Sequence, residues 1–109
     1  MVYEELSNVK GAIALGYPFH PPGRPEKTRT EHLLTASKPL LIVQGERDTF
    51  GTKAEVEGYG LPSNIECVYL EDGDHSFKPR KASGKTQQVH IVKAAELTAT
   101  FIDGVLSNP

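Results

Sequence analysis

The feature that most constrains the fold is the run Pro39-Leu40-Leu41-Ile42-Val43-Gln44, closed by Gly45. Four large apolar residues in succession leave no polar face. As a strand, the run must be covered on both sides, the signature of a parallel strand inside an α/β sheet. Val9 to Leu15 reads as a shorter strand ended by Gly16. Ile65 to Leu70 is a third, weaker because it partly alternates. Between the strands the pattern turns helical. Thr28 to Ala36 is a short helix anchored by Leu33 and Leu34, and Thr52 to Glu57 is another, closed by Gly58 and Gly60. Gln87 to Leu106 is the longest helix. Val89, Val92, Ala95, Ala99, Ile102 and Leu106 recur on one face of it at three- and four-residue spacing and predict a buried stripe; His90, Lys93, Glu96, Thr100 and Asp103 repeat on another. The order β-α-β-α-β-α predicts a three-layer α/β fold with a parallel sheet and right-handed crossovers. With 109 residues the chain reads as a single domain over 1–109, with a limited core.

Twelve basic residues against 14 acidic ones give a formal net charge of -2, which offers no electrostatic case for a nucleic acid or an anionic membrane as partner. No apolar run approaches the roughly 20 residues that span a bilayer. The start, Met1-Val2-Tyr3-Glu4-Glu5-Leu6, carries acid where a signal peptide carries base, so a cytoplasmic location is expected. The single cysteine, Cys67, excludes an intramolecular disulfide and a cysteine-rich zinc site; inside a strand-like run it reads as a packing thiol.

Two loops leave the C-terminal ends of the second and third strands with a common grammar, charged and containing glycine: Gly45-Glu46-Arg47-Asp48-Thr49-Phe50-Gly51 and Glu71-Asp72-Gly73-Asp74-His75-Ser76-Phe77. Ligand crevices in open α/β sheets lie outside these strand ends. Adjacent strands are about 4.8 Å apart, so the loops can bring Asp48 and His75 into hydrogen-bond reach. Their separation, 75 − 48 = 27 residues, suits one intervening helix and strand. A histidine acting as general base needs one ring nitrogen fixed by a carboxylate, which sets the tautomer and stabilises the imidazolium that forms.

Strand-Gly-x-x-Asp, helix, strand-loop-Gly-x-His and a long final helix resemble the C-terminal half of the α/β-hydrolase fold, over about Met1 to Leu106. The wording Gly16-Tyr17-Pro18-Phe19-His20-Pro21-Pro22-Gly23, with the first of the two loops, is similar to a dienelactone-hydrolase-like branch of mostly uncharacterised hydrolases. The resemblance implies that Asp48 is the acid and His75 the histidine of a catalytic triad, in the family's chain order of nucleophile, acid, histidine. It also implies that Tyr17, Phe19 and His20, in a loop bordering the pocket, line the substrate site. An equally good reading of that loop is a stiff proline-rich surface segment.

The departure from the family is the nucleophile. None of Ser7, Ser37, Ser63, Ser76, Ser83 or Ser107 stands in a Gly-x-Ser-x-Gly frame. The resemblance implies that Met1 to Leu6 continue the nucleophile helix, with the serine and the oxyanion-hole donors upstream. Taken singly, Asp48 also reads as a turn residue and His75 as a solvated histidine. Asp72, Asp74 and His75 lack a fourth partner for a metal; no metal or cofactor is expected. Lys78, Arg80, Lys81 and Lys85 read as a solvated basic loop, and His32 and His90 as solvated helix positions. The proline pairs also fit a polyproline recognition spacing that is common by chance.

Three functions follow. In the first, a complete parent protein hydrolyses an ester, thioester or related acyl bond of a small molecule by a Ser-Asp-His triad, and this chain alone is inactive. The second is a non-catalytic structural or partner-binding module derived from a hydrolase, and the third a small ligand-binding protein. A parallel first strand without a neighbour on its outer side predicts either self-association or pairing with a missing N-terminal half.

Overall fold

The structure is a computed structural model that describes residues 10–107, so Val9 and the segment Met1 to Leu6 lie outside the described residues. Three parallel strands, β1 (Ala12–Leu15), β2 (Leu40–Gly45) and β3 (Ile65–Leu70), form one sheet in the order β1-β2-β3. Ala12 stands beside Leu40, and Leu40 beside Ile65, so the strands end close together. Helices α1 (Glu31–Leu34), α2 (Lys53–Glu57) and α3 (Gln87–Ser107) complete the β-α-β-α-β-α chain.

Every residue of β2 is buried, and its pleat sorts them between two cores. Leu40 and Ile42 join Phe19, Leu33, Ala36 and Val56 on the face covered by α1 and α2. Leu41 and Val43 join Leu70, Phe77 and Ala94 on the face covered by α3. This is the three-layer arrangement expected of an apolar central strand. Truncating Leu41 or Ile42 to Ala costs about 2–5 kcal/mol by loss of transfer energy and creation of a void.

Besides β1, which begins at Ala12 and leaves Lys10 and Gly11 of the expected strand outside it, two elements differ from the sequence expectation. The helix expected over 28–36 contracts to Glu31–Leu34: Thr30 makes no side-chain cap, Leu33 is buried and Leu34 is exposed, so one anchor holds one turn. By contrast α2 is short but locked by a capping box, in which the Thr52 hydroxyl accepts from the Glu55 amide while Glu55 accepts from the Thr52 amide. The second difference is the orientation of α3. The face turned to the sheet carries His90, Ala94, Leu97 and Phe101, whereas Val89, Val92, Ile102 and Leu106 of the expected stripe are exposed. The helix has apolar residues at helical spacing on two faces, and periodicity alone does not say which one meets the sheet. His90, expected to be solvated, is instead buried and hydrogen-bonded through Nε2 to the Glu71 carbonyl at 2.7 Å. No helix among the described residues is long and apolar enough to cross a membrane.

Among the described residues, no strand pairs with the outer side of β1. The amides of Ala12 and Gly16 donate inward, to Pro39 and Val43, so by alternation those of Ile13 and Leu15 face outward. Beside this edge lies an apolar groove of about 450 Å³, bounded by the start of β1 and by Phe101, Ile102, Val105 and Leu106 of α3.

Candidate active site

At the C-terminal ends of β2 and β3, the structure brings Asp48 and His75 together: His75 Nδ1 lies 2.8 Å from Asp48 Oδ2. Asp48 is fully buried, while the His75 side chain is 44% exposed. The other carboxylate oxygen, Oδ1, accepts the Phe50 amide at 2.8 Å, an Asx turn that fixes the plane of the acid. The Phe50 ring centroid lies 4.5 Å from that of the imidazole. With Nδ1 committed to Asp48, Nε2 is the ring nitrogen left to meet a nucleophile.

Three glycines make the approach possible. A Cβ on Gly45 would fall 2.2 Å from the Asp74 carbonyl oxygen and 2.4 Å from that of Gly73, so the histidine loop crosses directly over the end of β2. Gly16 sits at φ +81°, and a Cβ there would lie 3.0 Å from His75 Cε1. A Cβ on Gly51 would meet the Phe19 ring at 2.6 Å.

The two loops are stitched to one another. Glu46 accepts the Asp72 amide at 2.8 Å, the Arg47 amide donates to the Gly73 carbonyl at 2.9 Å, and Arg47 Nε donates to the Asp72 carbonyl at 2.8 Å. Asp72, at φ +58°, is chelated by Arg80, and this ion pair and the Arg80 amide hold its carboxyl at about 2, below the usual range. Asp74 accepts the amides of Ser76 and Lys78. Both acids considered with His75 as a metal set are therefore engaged elsewhere. Phe77, also at positive φ, buries its ring under α3 and anchors the loop.

The acid loop is also tied to the proline-rich loop after β1. Gln44 is fully buried and bridges the two: its Nε2 donates to the carbonyls of Gly51 (3.0 Å) and Tyr17 (3.2 Å), and its Oε1 accepts the Tyr17 amide (2.9 Å). Phe19 is fully buried between the rings of Tyr17 and Tyr59. His20 is 3% exposed and bonded to Glu55 and the Pro21 carbonyl. Both residues are buried, with almost no surface for a ligand to touch. Tyr17 is half-buried, its hydroxyl donating to the Arg29 carbonyl at 3.1 Å, and burial raises its phenol. Cys67 is half-buried beside Tyr69, and desolvation pushes its thiol up to about 11, far from a reactive thiolate.

Sequence reasoning missed Gln44, Glu46, Arg47, Phe50 and Glu55. Two signals were readable. A glutamine closing an apolar strand must find buried partners, and Thr52-x-x-Glu55 is a capping-box pattern.

A family model described as an alpha/beta hydrolase domain matches residues 1–103. Comparison with curated proteins and with solved structures returned no match. A parallel three-layer sheet, an aspartate and a histidine joined at adjacent strand ends, and a family match over nearly the whole chain agree: the chain belongs to the α/β-hydrolase family.

Proposed function

We propose that Asp48 and His75 are the acid and base of an acyl hydrolase, acting on an ester, thioester or related acyl bond of a small molecule. The observation that carries this reading is the 2.8 Å bond between a fully buried carboxylate and a half-exposed imidazole. Asp48 accepts the Nδ1 proton and orients the ring. His75 Nε2 then takes the proton of an attacking hydroxyl and later returns it to the leaving group. The dienelactone-hydrolase-like wording of the proline and acid loops supports an acyl substrate. Of the proline loop, Tyr17 is the residue assigned to substrate contact, with Phe50 as the wall beside the base.

The 109 residues hold no Gly-x-Ser-x-Gly frame, so the chain alone turns over no activated ester above the buffer rate. Expression together with the coding sequence upstream of Met1 tests the reading. Short-chain ester hydrolysis is expected to appear, to vanish in His75→Ala, and to fall by roughly 10³–10⁴-fold in Asp48→Asn through loss of the correct tautomer. Hydrolysis indifferent to His75→Ala sinks it.

The outer edge of β1, unpaired among the described residues, favours a second reading, a partner-binding module derived from a hydrolase. We propose that two copies pair through Ile13 and Leu15 about a two-fold axis, each contributing its groove. Light scattering after size exclusion is expected to give a dimer that Ile13→Lys dissociates; a monomer at every concentration contradicts it.

A further inference from the structure

His20 is absorbed by neither the triad nor the fold's apolar core. It is 3% exposed, yet both of its ring nitrogens face oxygen acceptors at 2.9 Å: Nδ1 the Pro21 carbonyl and Nε2 Glu55 Oε1. A carbonyl only accepts, so Nδ1 must carry a proton. Glu55 Oε1 also receives the Thr52 amide at 2.9 Å and the Thr52 hydroxyl at 3.2 Å, which leaves it an ionised acceptor, so Nε2 must carry a proton too. A neutral imidazole satisfies one of these bonds and leaves two lone pairs opposed at the other.

The consequences reach the site. The His20 amide donates to the Phe50 carbonyl at 3.0 Å, while its ring grips Glu55, whose carboxylate grips Thr52. Phe50, Gly51 and Thr52, which stand two to four residues after Asp48, are thus held at both ends by one side chain and its backbone. Phe50 in turn donates to Asp48 and stacks against His75.

We propose that His20 is carried as an imidazolium and is the positioning residue of the acid loop, holding Phe50 and Asp48 in register with His75 only while both its ring nitrogens are protonated. This rests on the hydrolase reading for its purpose but not for its test. The titratable groups acting on His20 are Glu55 of α2 and Glu26 of its own loop. The Pro21 carbonyl first, then Glu55, raise its pKa above the ordinary histidine value, against the opposing effect of burial. Glu55 is lowered by the same contact. Because the folded-state value of His20 is raised, the clamp is complete below about pH 6.5 and released as pH rises through the raised value.

The test is ¹⁵N-detected imidazole NMR of the intact chain across a titration from about pH 6 to 10. His20 is expected to show two protonated ring nitrogens at neutral pH and to titrate above the ordinary value, with Phe50 and His75 resonances moving at the same midpoint. In Glu55→Gln the His20 midpoint falls and the Phe50 and His75 response follows it down; Glu55→Asp restores part of the upward shift. A single protonated nitrogen on His20 at neutral pH overturns the proposal, as does a His20 titration to which His75 does not respond. If Glu55→Gln does not fold, the wild-type titration decides alone. The hydrolase reading fails separately, on the absence of a His75–Asp48 bond, whatever the state of His20.

Discussion

The acid loop and the histidine loop leave neighbouring strands with similar sequences, yet they are held in different ways. The acid loop is fastened to the interior. Asp48 is fully buried, Gly51 lies under Phe19, Gln44 reaches across from the core, and a capping box closes the segment into α2. The histidine loop is fastened at its surface by the exposed Arg80 on Asp72 and at its base by Phe77, and it carries two non-glycine residues at positive φ. The difference follows from the work of each partner. An orienting carboxylate gains from rigidity and a dry environment, whereas a base must face the solvent side where a substrate arrives.

The largest test of this contrast is the crossing point itself. Gly45→Ala forces a methyl into the carbonyls of Gly73 and Asp74, both backbone, and is expected to destabilise the chain by at least about 2–3 kcal/mol in urea unfolding. A cost below about 1 kcal/mol would mean that the histidine loop does not rest on β2. Gly16→Ala is expected to cost less, about 1–2 kcal/mol for a side chain at positive φ, but to shift the His75 ring resonances markedly. A stability loss without any His75 shift would contradict the close approach of Gly16 to the His75 ring.

Acid and alkali separate the two fastenings. Asp72 is depressed to about 2 by Arg80, so its contribution is present above the ordinary carboxylate value and is lost as pH falls toward 2. His20 is raised, so its contribution is present below about pH 6.5 and is lost as pH rises through its folded-state value. Resonances of Asp72 and Arg80 are therefore expected to move on the acid limb, and those of 50–55, with His75 following Phe50, on the alkaline limb. Asp72 and Arg80 moving with residues 50–55 on the alkaline limb would erase the distinction. The smallest effect is expected at the cap: Thr52→Ala should cost about 1 kcal/mol and leave the Asp72–Arg80 pair unchanged.

How much of this was legible in the sequence depends on how local the cause is. β3 is observed over the expected Ile65–Leu70, and β2 within one residue at each end, because apolar runs bounded by turn residues carry their own signal. Asp48 and His75 were legible as a pair because the positions of strand ends follow from chain order. The face of α3 was not, since two apolar stripes compete and only the sheet decides between them. The burial of Phe19 and His20 was hidden for a related reason. A proline-rich loop looks like surface until Gln44, 27 residues beyond Tyr17, and Glu55, 35 residues beyond His20, pull it inward.

The most direct measurement of the central claim is the tautomer of His75. In the neutral imidazole, long-range ¹H–¹⁵N spectra are expected to find the proton on Nδ1, bonded to Asp48, with Nε2 bare. Asp48→Ala should release that preference. A proton resident on Nε2, unchanged by Asp48→Ala, would contradict the account: the two residues would then be neighbours at a strand end and not a base with its orienter.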